Sequence, residues 1–304
     1  MSVLEVSSVD LEKSAAPEVP ARAGGRGKAA LRWSRHVVTE PSLLISYLWV
    51  GLMVVATFVP TLFTGRDPLA QDADALLLAP SLAHPFGTDD LGRDQFTRMV
   101  HGTSLSVQAA VIAVLLGLVS GALIGLVAGA VGGWVDSVLM RVMDVMLAVP
   151  SLIVSLAIIS ALGHGVLNIA IAIGINSTAG FARLMRSEVL KVATSKYVEA
   201  SVFAGHGYAY RLFRHVVPNA SRSVLAAATM EIGTAILTVA ALSFLGLGAP
   251  PPTPEWGLLV SEGRTFIATQ WWLSLLPGLV ITLSVVAIYR IGRSLNRGRT
   301  SVVA

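Results

Sequence analysis

Long uncharged apolar runs alternate with short charged segments along most of this chain. A helix that crosses the hydrocarbon core of a lipid bilayer needs about 20 consecutive, mostly apolar residues. Runs of this kind predict single membrane spans over about residues 43–63, 105–128, 224–245 and 266–289. A fifth uncharged run, residues 145–182, is too long for one helix.

The long run contains Gly163-His164-Gly165 near its middle, and two glycines this close together favour a break in the chain. We therefore predict two spans, residues 145–162 and 166–182, that form a tight hairpin. Together the runs predict an all-α membrane protein with six transmembrane helices.

The predicted spans divide the chain into a central membrane domain and two terminal tails. Residues 1–42 contain no apolar run and are rich in Ala, Pro, Gly, Arg and Ser, which predicts a disordered basic tail. Residues 43–293 then form the six-helix domain, and residues 294–304 form a second tail.

Lysine and arginine are unequally distributed between the two sides of the predicted membrane. Short loops rich in these residues remain in the cytoplasm. With six spans, 18 of them fall on the side that carries both termini and residues 183–222, and 4 fall on the other side. Both termini are therefore predicted to be cytoplasmic.

The composition narrows the possible classes of protein. Charged residues make up 13% of the chain, against about 25% in soluble domains, and so few charges could not cover a soluble surface. The chain has no cysteine, which excludes disulfides, thiolate nucleophiles and Cys-ligated metals. The net charge of +4 comes from basic loops that direct insertion and contact lipid headgroups, so we expect no nucleic-acid partner.

The motifs of nucleotide hydrolysis and of common hydrolases are missing from the sequence. It contains no G-x-x-x-x-G-K-[ST], no H-E-x-x-H and no G-x-S-x-G. We therefore expect no enzymatic activity, no catalytic residue, no metal and no bound cofactor. If the protein moves a solute actively, the energy must come from a partner or from an ion gradient.

Small residues recur every four positions along the second predicted span. This spacing lets two helices approach closely, so it indicates either plain packing or a helix that must slide or tilt. The row consists of Gly117, Gly121, Gly125, Gly129 and Gly133.

Glu231 is the one charged residue well inside a predicted span, about seven residues from its cytoplasmic end. Because a charge within the membrane is costly, it marks a candidate functional site, and we treat Glu231 as a candidate gating residue. The alternative is a structural role in which water or Arg222 reaches the carboxylate. Nearby, the i,i+3 spacing of Arg141 and Asp144 predicts a local ion pair.

The segment between the fourth and fifth spans has the most distinctive sequence. Residues 186–217 contain no proline and predict two short helices broken between Gly205 and Gly207. On the pattern alone, this is either a rigid cytoplasmic knob for another protein or an ordinary amphipathic loop. The segment resembles the E-A-A-x-x-x-G…I-x-L-P motif of permease subunits of ATP-binding-cassette (ABC) importers. The four matching positions are Glu199, Ala200, Gly205 and Pro218, whereas Ser201, His215 and Val217 depart from the pattern.

Three further strings are similar to the dipeptide, oligopeptide and nickel permease group of that family. They are HPFGTDDLGRD at 84–94, GGWVDSVLMRVMDVMLAVPSL at 132–152 and LSFLGLGAPPPTPEWG at 242–257. The first string is similar to the C-type subunit, the second of the two permeases in such systems. The resemblance covers about residues 41–293.

The resemblance implies a type I ABC importer permease in a bacterial-type cell membrane. Such a subunit pairs with a homologous second permease, two ABC ATPases that hydrolyse the ATP, and an extracytoplasmic solute-binding protein. It implies an ATPase-coupling site within residues 186–219, made of Tyr197, Glu199, Ala200, Ser201, Gly205, Arg214 and Pro218. It also implies an outer rim facing the binding protein, made of Asp89, Asp90, Arg93, Asp94, Glu255 and Trp256. The four charged residues of 89–94 have the alternative role of fixing their own loop by local hydrogen bonds.

Two other classes of function compete with this interpretation. A self-sufficient secondary carrier or channel predicts inverted repeats and ionisable groups at mid-membrane, of which the chain offers Glu231. A membrane-embedded enzyme requires paired catalytic residues, and His164 has no carboxylate near it in sequence. The resemblance favours the importer permease, with dipeptides or oligopeptides as the expected substrates and nickel or another small solute as the alternative.

Overall fold

The computed structural model describes residues 41–300, and the side chains of residues 41–295. Within these residues every regular element is a helix. The predicted tail at 1–42, apart from its last two residues, lies outside the described residues, as do residues 301–304. The last helix continues to Thr300, so the domain boundary predicted at 293 falls inside a helix.

Ten α-helices follow one another along the described chain. They are α1 (Pro41–Phe58), α2 (Gln95–Val131), α3 (Gly133–Ala148), α4 (Ser151–Leu162), α5 (Val166–Ala193), α6 (Lys196–Phe203), α7 (Tyr208–Arg211), α8 (Val217–Phe244), α9 (Trp256–Arg264) and α10 (Trp272–Thr300). A 3-10 turn at Pro60–Leu62 follows α1, and a π-helical segment at Leu212–Val216 joins α7 to α8. Five spans are long and apolar enough to cross a membrane, and α3 with α4 makes a sixth if the bent pair is one span.

The end of α1 and the start of α2 differ from the predicted spans, and a nearby residue explains each difference. The first helix stops at Phe58, five residues before the predicted end at 63, because Pro60 interrupts the helical hydrogen bonds. The second helix begins at Gln95, ten residues before the predicted start at 105. There the Asp94 side chain caps α2 by accepting a hydrogen bond from the Thr97 N–H at 2.7 Å.

The predicted span at 145–162 is not a single straight helix. Helices α3 and α4 meet at an angle of 91°, and the break falls between Ala148 and Ser151. Pro150 lies in this break and cannot donate the backbone hydrogen bond that would continue α3. Asp144 does not pair with Arg141, as its spacing predicted, because Arg183 of α5 binds its carboxylate at 2.5 Å.

Helices α5 and α8 both extend beyond their predicted spans, and the last span starts later than expected. Helix α5 runs on to Ala193 and α8 begins at Val217, seven residues before the predicted start at 224. The last span, predicted from 266, begins at Trp272 because short turns occupy residues 265–271 after α9.

The glycine row of α2 lies against α5, and the two helices run in the same direction. A Cβ atom built on Gly117 would lie 2.8 Å from the Cβ of Ser177, and one built on Gly129 would lie 2.8 Å from Val189. Gly121 and Gly125 are equally crowded, whereas Gly133 has open space and a φ of +58° at the start of α3. Four of the five glycines therefore form a close seam, the packing alternative of the sequence analysis.

Both ends of the described chain lie at the same end of the helix bundle. The Arg290 guanidinium donates a hydrogen bond to Ser42 Oγ, which joins α10 to α1. At the opposite end, Thr64 bonds to Thr97 at 2.8 Å and the Gly165 N–H donates to the Leu247 carbonyl at 3.0 Å. We call these the Gly205 end, where residues 186–217 also lie, and the Asp94 end.

Candidate functional site

Helix α6 is a short helix that presents most of its side chains to the surface at the Gly205 end. Val198 and Ser201 are buried on one face, while Tyr197, Glu199 and Ala200 are exposed. The side chain of Phe203, near the C-terminus of α6, is 83% exposed. Tyr197 and Val202 are also exposed, so several large apolar side chains of one short helix are accessible to another protein.

Gly205 ends α6 in a Schellman motif. The Gly205 N–H donates to the Val202 carbonyl at 2.9 Å, and the His206 N–H donates to the Ser201 carbonyl at 3.2 Å. The motif requires a left-handed residue after the helix, and Gly205 has a φ of +80°. Gly205, where the sequence predicted the break after this helix, therefore occupies the position at which a Cβ atom is most costly.

The turn after α6 is tied back to the helix bundle. The Tyr208 hydroxyl donates a hydrogen bond to the carbonyl of Ala130, in the last turn of α2. The π-helical segment leads directly into α8, whose first turn contains Pro218. Arg214 and Pro218 are both exposed. A displacement of α6 would therefore act on α2 and α8 together.

His215 is held by an aromatic cluster that the sequence motif did not reveal. Its ring lies edge-on to Tyr197 at 6.3 Å and to Tyr210 at 5.8 Å, and Tyr210 stacks on His206 at 4.3 Å. An aromatic ring at position 215 thus joins α6 to the π-helical segment, where the family motif has an aliphatic residue. The two histidines and two tyrosines within residues 206–215 are the sequence signal from which this cluster could have been predicted.

The loop at 84–94 is fixed by buried charges. Asp89 accepts hydrogen bonds from the Arg93 backbone N–H at 2.9 Å, from Arg93 Nε at 2.7 Å and from the Arg98 guanidinium at 2.7 Å. Asp94, besides capping α2, binds Arg66 at 3.1 Å and His84 at 2.8 Å. For Asp89, Arg93 and Asp94 the geometry matches the alternative in which these charges fix their own loop.

Glu255 caps α9 from a fully buried position. Its carboxylate accepts hydrogen bonds from the Leu258 N–H at 3.0 Å and from the Ser106 hydroxyl at 2.9 Å. Burial raises the pKa of Glu255, and the hydrogen bonds that the carboxylate accepts oppose this shift. The indole of Trp256 is buried as well and donates to the Met99 carbonyl at 3.1 Å. Helix α9 is therefore fastened to the first turns of α2.

The six residues predicted to face a binding protein are mostly unavailable to one. Asp90 is exposed, whereas the other five are between 0% and 7% exposed because they pack within the chain. Sequence reasoning missed the residues that complete this network, Arg98 and Glu262, which bind each other at 2.8 Å. Arg98 lies before the predicted start of the second span at 105, and no local pattern pairs it with a carboxylate 164 positions away.

Glu231 lies about midway along α8, with 14 residues of the helix before it. At about 1.5 Å per residue this is about 20 Å from the start of α8 at Val217. Its carboxylate accepts a hydrogen bond from the Ser177 hydroxyl of α5 at 3.0 Å. It also lines a cavity of about 400 Å³ between α4, α5 and α8.

No set of three or more His, Asp or Glu side chains within the described residues could hold a metal ion. The described residues show three candidate sites: an exposed helix tied to the bundle, a loop at the opposite end that buried charges hold in place, and a cavity between spans that contains Glu231.

A family model described as the binding-protein-dependent transport system inner membrane component matches residues 121–301. The chain belongs to this family. It is a multi-pass membrane permease of an ABC importer that works with ATPase and other transporter components. Proteins of this family are permeases and not enzymes, which excludes both competing classes.

The permease has extensive similarity to characterised relatives. It is 40% identical over 252 residues to the dipeptide transport system permease protein DppC of Alkalihalophilus pseudofirmus, covering 81% of this chain and 83% of that protein. It is 43% identical over 255 residues to the di/tripeptide transport system permease protein DppC of Pseudomonas aeruginosa, covering 82% and 84%. The glutathione transport system permease protein GsiD of Escherichia coli is 38% identical over 264 residues, covering 87% of each chain.

The fold of the permease also occurs in a solved structure, described as an amino acid ABC transporter with histidines. The two chains superpose with a TM-score of 0.54 at 16% identity, over 66% of this chain and 94% of that one. At this identity the similarity concerns the fold.

Proposed function

We propose that this permease imports short peptides across a bacterial inner membrane. It is one of two homologous permease subunits that enclose the pathway. An external solute-binding protein delivers the peptide, and two ABC ATPases on the cytoplasmic face hydrolyse the ATP, so this chain itself binds no cofactor. The substrate class is supported by relatives named as dipeptide, di/tripeptide and glutathione permeases.

The Gly205 end is the cytoplasmic end in this proposal. The excess of lysine and arginine on the side of residues 183–222 supports this orientation. Because Ser42 and Arg290 lie at the same end of the bundle, both tails then extend into the cytoplasm. The Asp94 end faces outward, and Asp90 is the exposed charge of the 84–94 loop that a binding protein would meet.

Helix α6 is the coupling helix that an ATPase grips. The observation that carries the proposal is the exposed α6, ended by Gly205 and tied through Tyr208 to the last turn of α2. Movement of the ATPases upon ATP binding would displace α6, and α2 and α8 would move with it. The cycle biases an outward-open against an inward-open state, because ATP has different affinities for the two.

The substrate class is tested by uptake in the native cell. Deletion of the coding sequence is expected to abolish ATP-dependent uptake of labelled dialanine, and the intact sequence supplied in trans is expected to restore it. Labelled nickel is measured in the same cells. Unchanged dialanine uptake together with lost nickel uptake would replace peptides by nickel as the substrate.

A further inference from the structure

A cavity with several polar groups in a partly apolar wall lies between α4, α5 and α8. Three helices contribute hydroxyl, amide or carboxyl groups to its wall. The residues are Ser151 and Ser155 of α4, Asn176 and Ser177 of α5, and Glu231, Thr234 and Thr238 of α8. Because both Ser151 and Thr234 are exposed, the cavity opens at the surface of the chain.

The cavity wall is held in place by hydrogen bonds between helices. The Asn176 amide donates to the Ser155 hydroxyl at 2.8 Å and to the Ser151 carbonyl at 3.1 Å, which joins α5 to α4. The Ser177 hydroxyl donates to Glu231 at 3.0 Å, which joins α5 to α8. The polar groups are therefore positioned by the fold before any ligand arrives.

Glu231 brings a carboxylate into this cavity, and none of the ion pairs within the described part of the chain includes it. By contrast, Arg183 and Arg186 of α5 each bind an aspartate of α3. A carboxylate within a membrane span costs free energy unless water, hydrogen-bond donors or a cation stabilise it, and such residues commonly mark functional sites. The single hydroxyl that it binds, from Ser177, leaves most of its acceptor capacity unused.

We infer that the cavity is a stopping point on the solute pathway, where Glu231 binds a primary ammonium group of the passing solute. The inference rests on the proposed function, since the α-amino group of a free peptide carries a positive charge at neutral pH. The hydroxyl and amide groups of Ser151, Asn176 and Thr234 lie in the same cavity and offer hydrogen bonds to the peptide backbone. A binding site of this kind lets a charged terminus cross the membrane without losing all of its polar partners.

The charge of Glu231 in the cavity can be tested without knowing which solute the transporter carries. The chain has no cysteine, so Thr234→Cys places a single thiol in the cavity, three residues along α8 from Glu231. In the complete transporter this thiol is treated with two methanethiosulfonate reagents, one bearing an ammonium group and one a sulfonate. Rates are normalised to those of a free thiol. We expect the ammonium reagent to be preferred by about tenfold, because the carboxylate lies less than one helical turn from the thiol and lines the same cavity.

Two second substitutions show whether Glu231 causes the preference. Combined with Thr234→Cys, Glu231→Gln is expected to remove the preference, whereas Glu188→Gln, which removes a carboxylate of α5 outside the cavity, is expected to preserve it. An equal preference in the presence and absence of Glu231 would overturn the inference. So would a thiol that reacts with neither reagent, or the lack of any preference because a basic residue of the second permease already neutralises Glu231.

Uptake of labelled dialanine by the assembled transporter connects the cavity to transport. Glu231→Gln is expected to lower uptake at least tenfold, Glu231→Asp to retain part of it, and Glu188→Gln to stay within about twofold. If the unsubstituted transporter takes up no dialanine but the thiol preference is present, the peptide proposal fails and the ammonium site stands. If it takes up dialanine and Glu231→Gln does so at the same rate, the ammonium site fails and the peptide permease stands.

Discussion

Gly205 and Gly207 lie two residues apart in the same turn but have different backbone conformations. Gly205 has a φ of +80°, whereas Gly207 has a φ of −65° that any residue can adopt. Neither glycine has a neighbouring atom within 4 Å of a built Cβ atom. A side chain at either position would have room, but only at Gly205 would it strain the backbone.

Gly205→Val is expected to impair coupling, and Gly207→Val is the matched control. A side chain at a left-handed φ costs about 1–2 kcal/mol, and more when it is β-branched, so the turn after α6 would be displaced. We expect at least a tenfold loss of solute uptake for Gly205→Val and a change within about twofold for Gly207→Val. Equal uptake by the two variants, with equal amounts of assembled transporter, would show that the turn geometry is unimportant.

The buried carboxyl of Glu255 is expected to make the stability of the folded protein decrease as the pH rises. Its pKa is raised in the folded protein, so the stability that this carboxyl contributes is fully present below its unfolded pKa and is lost as pH rises through the folded value. Glu255→Gln has no such titration. We therefore expect the melting temperature of the variant, relative to the unsubstituted transporter, to be higher at pH 8 than at pH 5.

The cap made by Glu255 provides a second comparison at the same position. Glu255→Ala removes the acceptor of the Leu258 N–H and leaves the Ser106 hydroxyl without its buried partner. The loss is expected to be about 0.5–2 kcal/mol of stability for the cap alone. If Glu255→Gln shows the same melting temperature difference at both pH values, the charge of Glu255 has no part in stability.

At the scale of elements, the parallel contact of α2 with α5 depends on the absence of side chains. A Cβ atom on Gly125 would lie 2.8 Å from the Cβ of Met185 and would overlap the carbonyl of Ala182. We expect Gly125→Ala to separate the helices and to reduce the amount of assembled transporter, measured by co-purification. Gly51→Ala, in open space on α1, is the control. Equal yields of both variants would contradict a close seam.

The sequence predicted the helical class, five of the six spans and the turn at Gly205, because each depends on local chemistry. Apolar runs, glycine spacing and a left-handed turn can all be recognised within a few positions of one another. The contact of Arg98 with Glu262 could not be predicted, since the two residues are distant in sequence. The start of α2 at Gln95 was missed for another reason: the apolar run begins later than the helix, although the Asp94 cap is a local contact.

At the scale of the whole molecule, the orientation of the permease can be measured with one thiol. Ala200→Cys puts a cysteine on the exposed face of α6 in a chain that has none. We expect it to resist a membrane-impermeant thiol reagent in intact cells and to react in inverted vesicles. Labelling in intact cells would place α6 outside and would reverse the proposed topology.

The central claim is that this chain is a permease that acts through partner ATPases at α6. The most direct measurement is purification of the tagged chain from its native membranes in mild detergent, followed by mass spectrometry of the proteins that accompany it. The account predicts a second multi-span permease and ATPases carrying phosphate-loop motifs, with the ATPases lost when the exposed surface of α6 is altered by Phe203→Asp. Recovery of the chain alone, from membranes that still support uptake, would contradict the account.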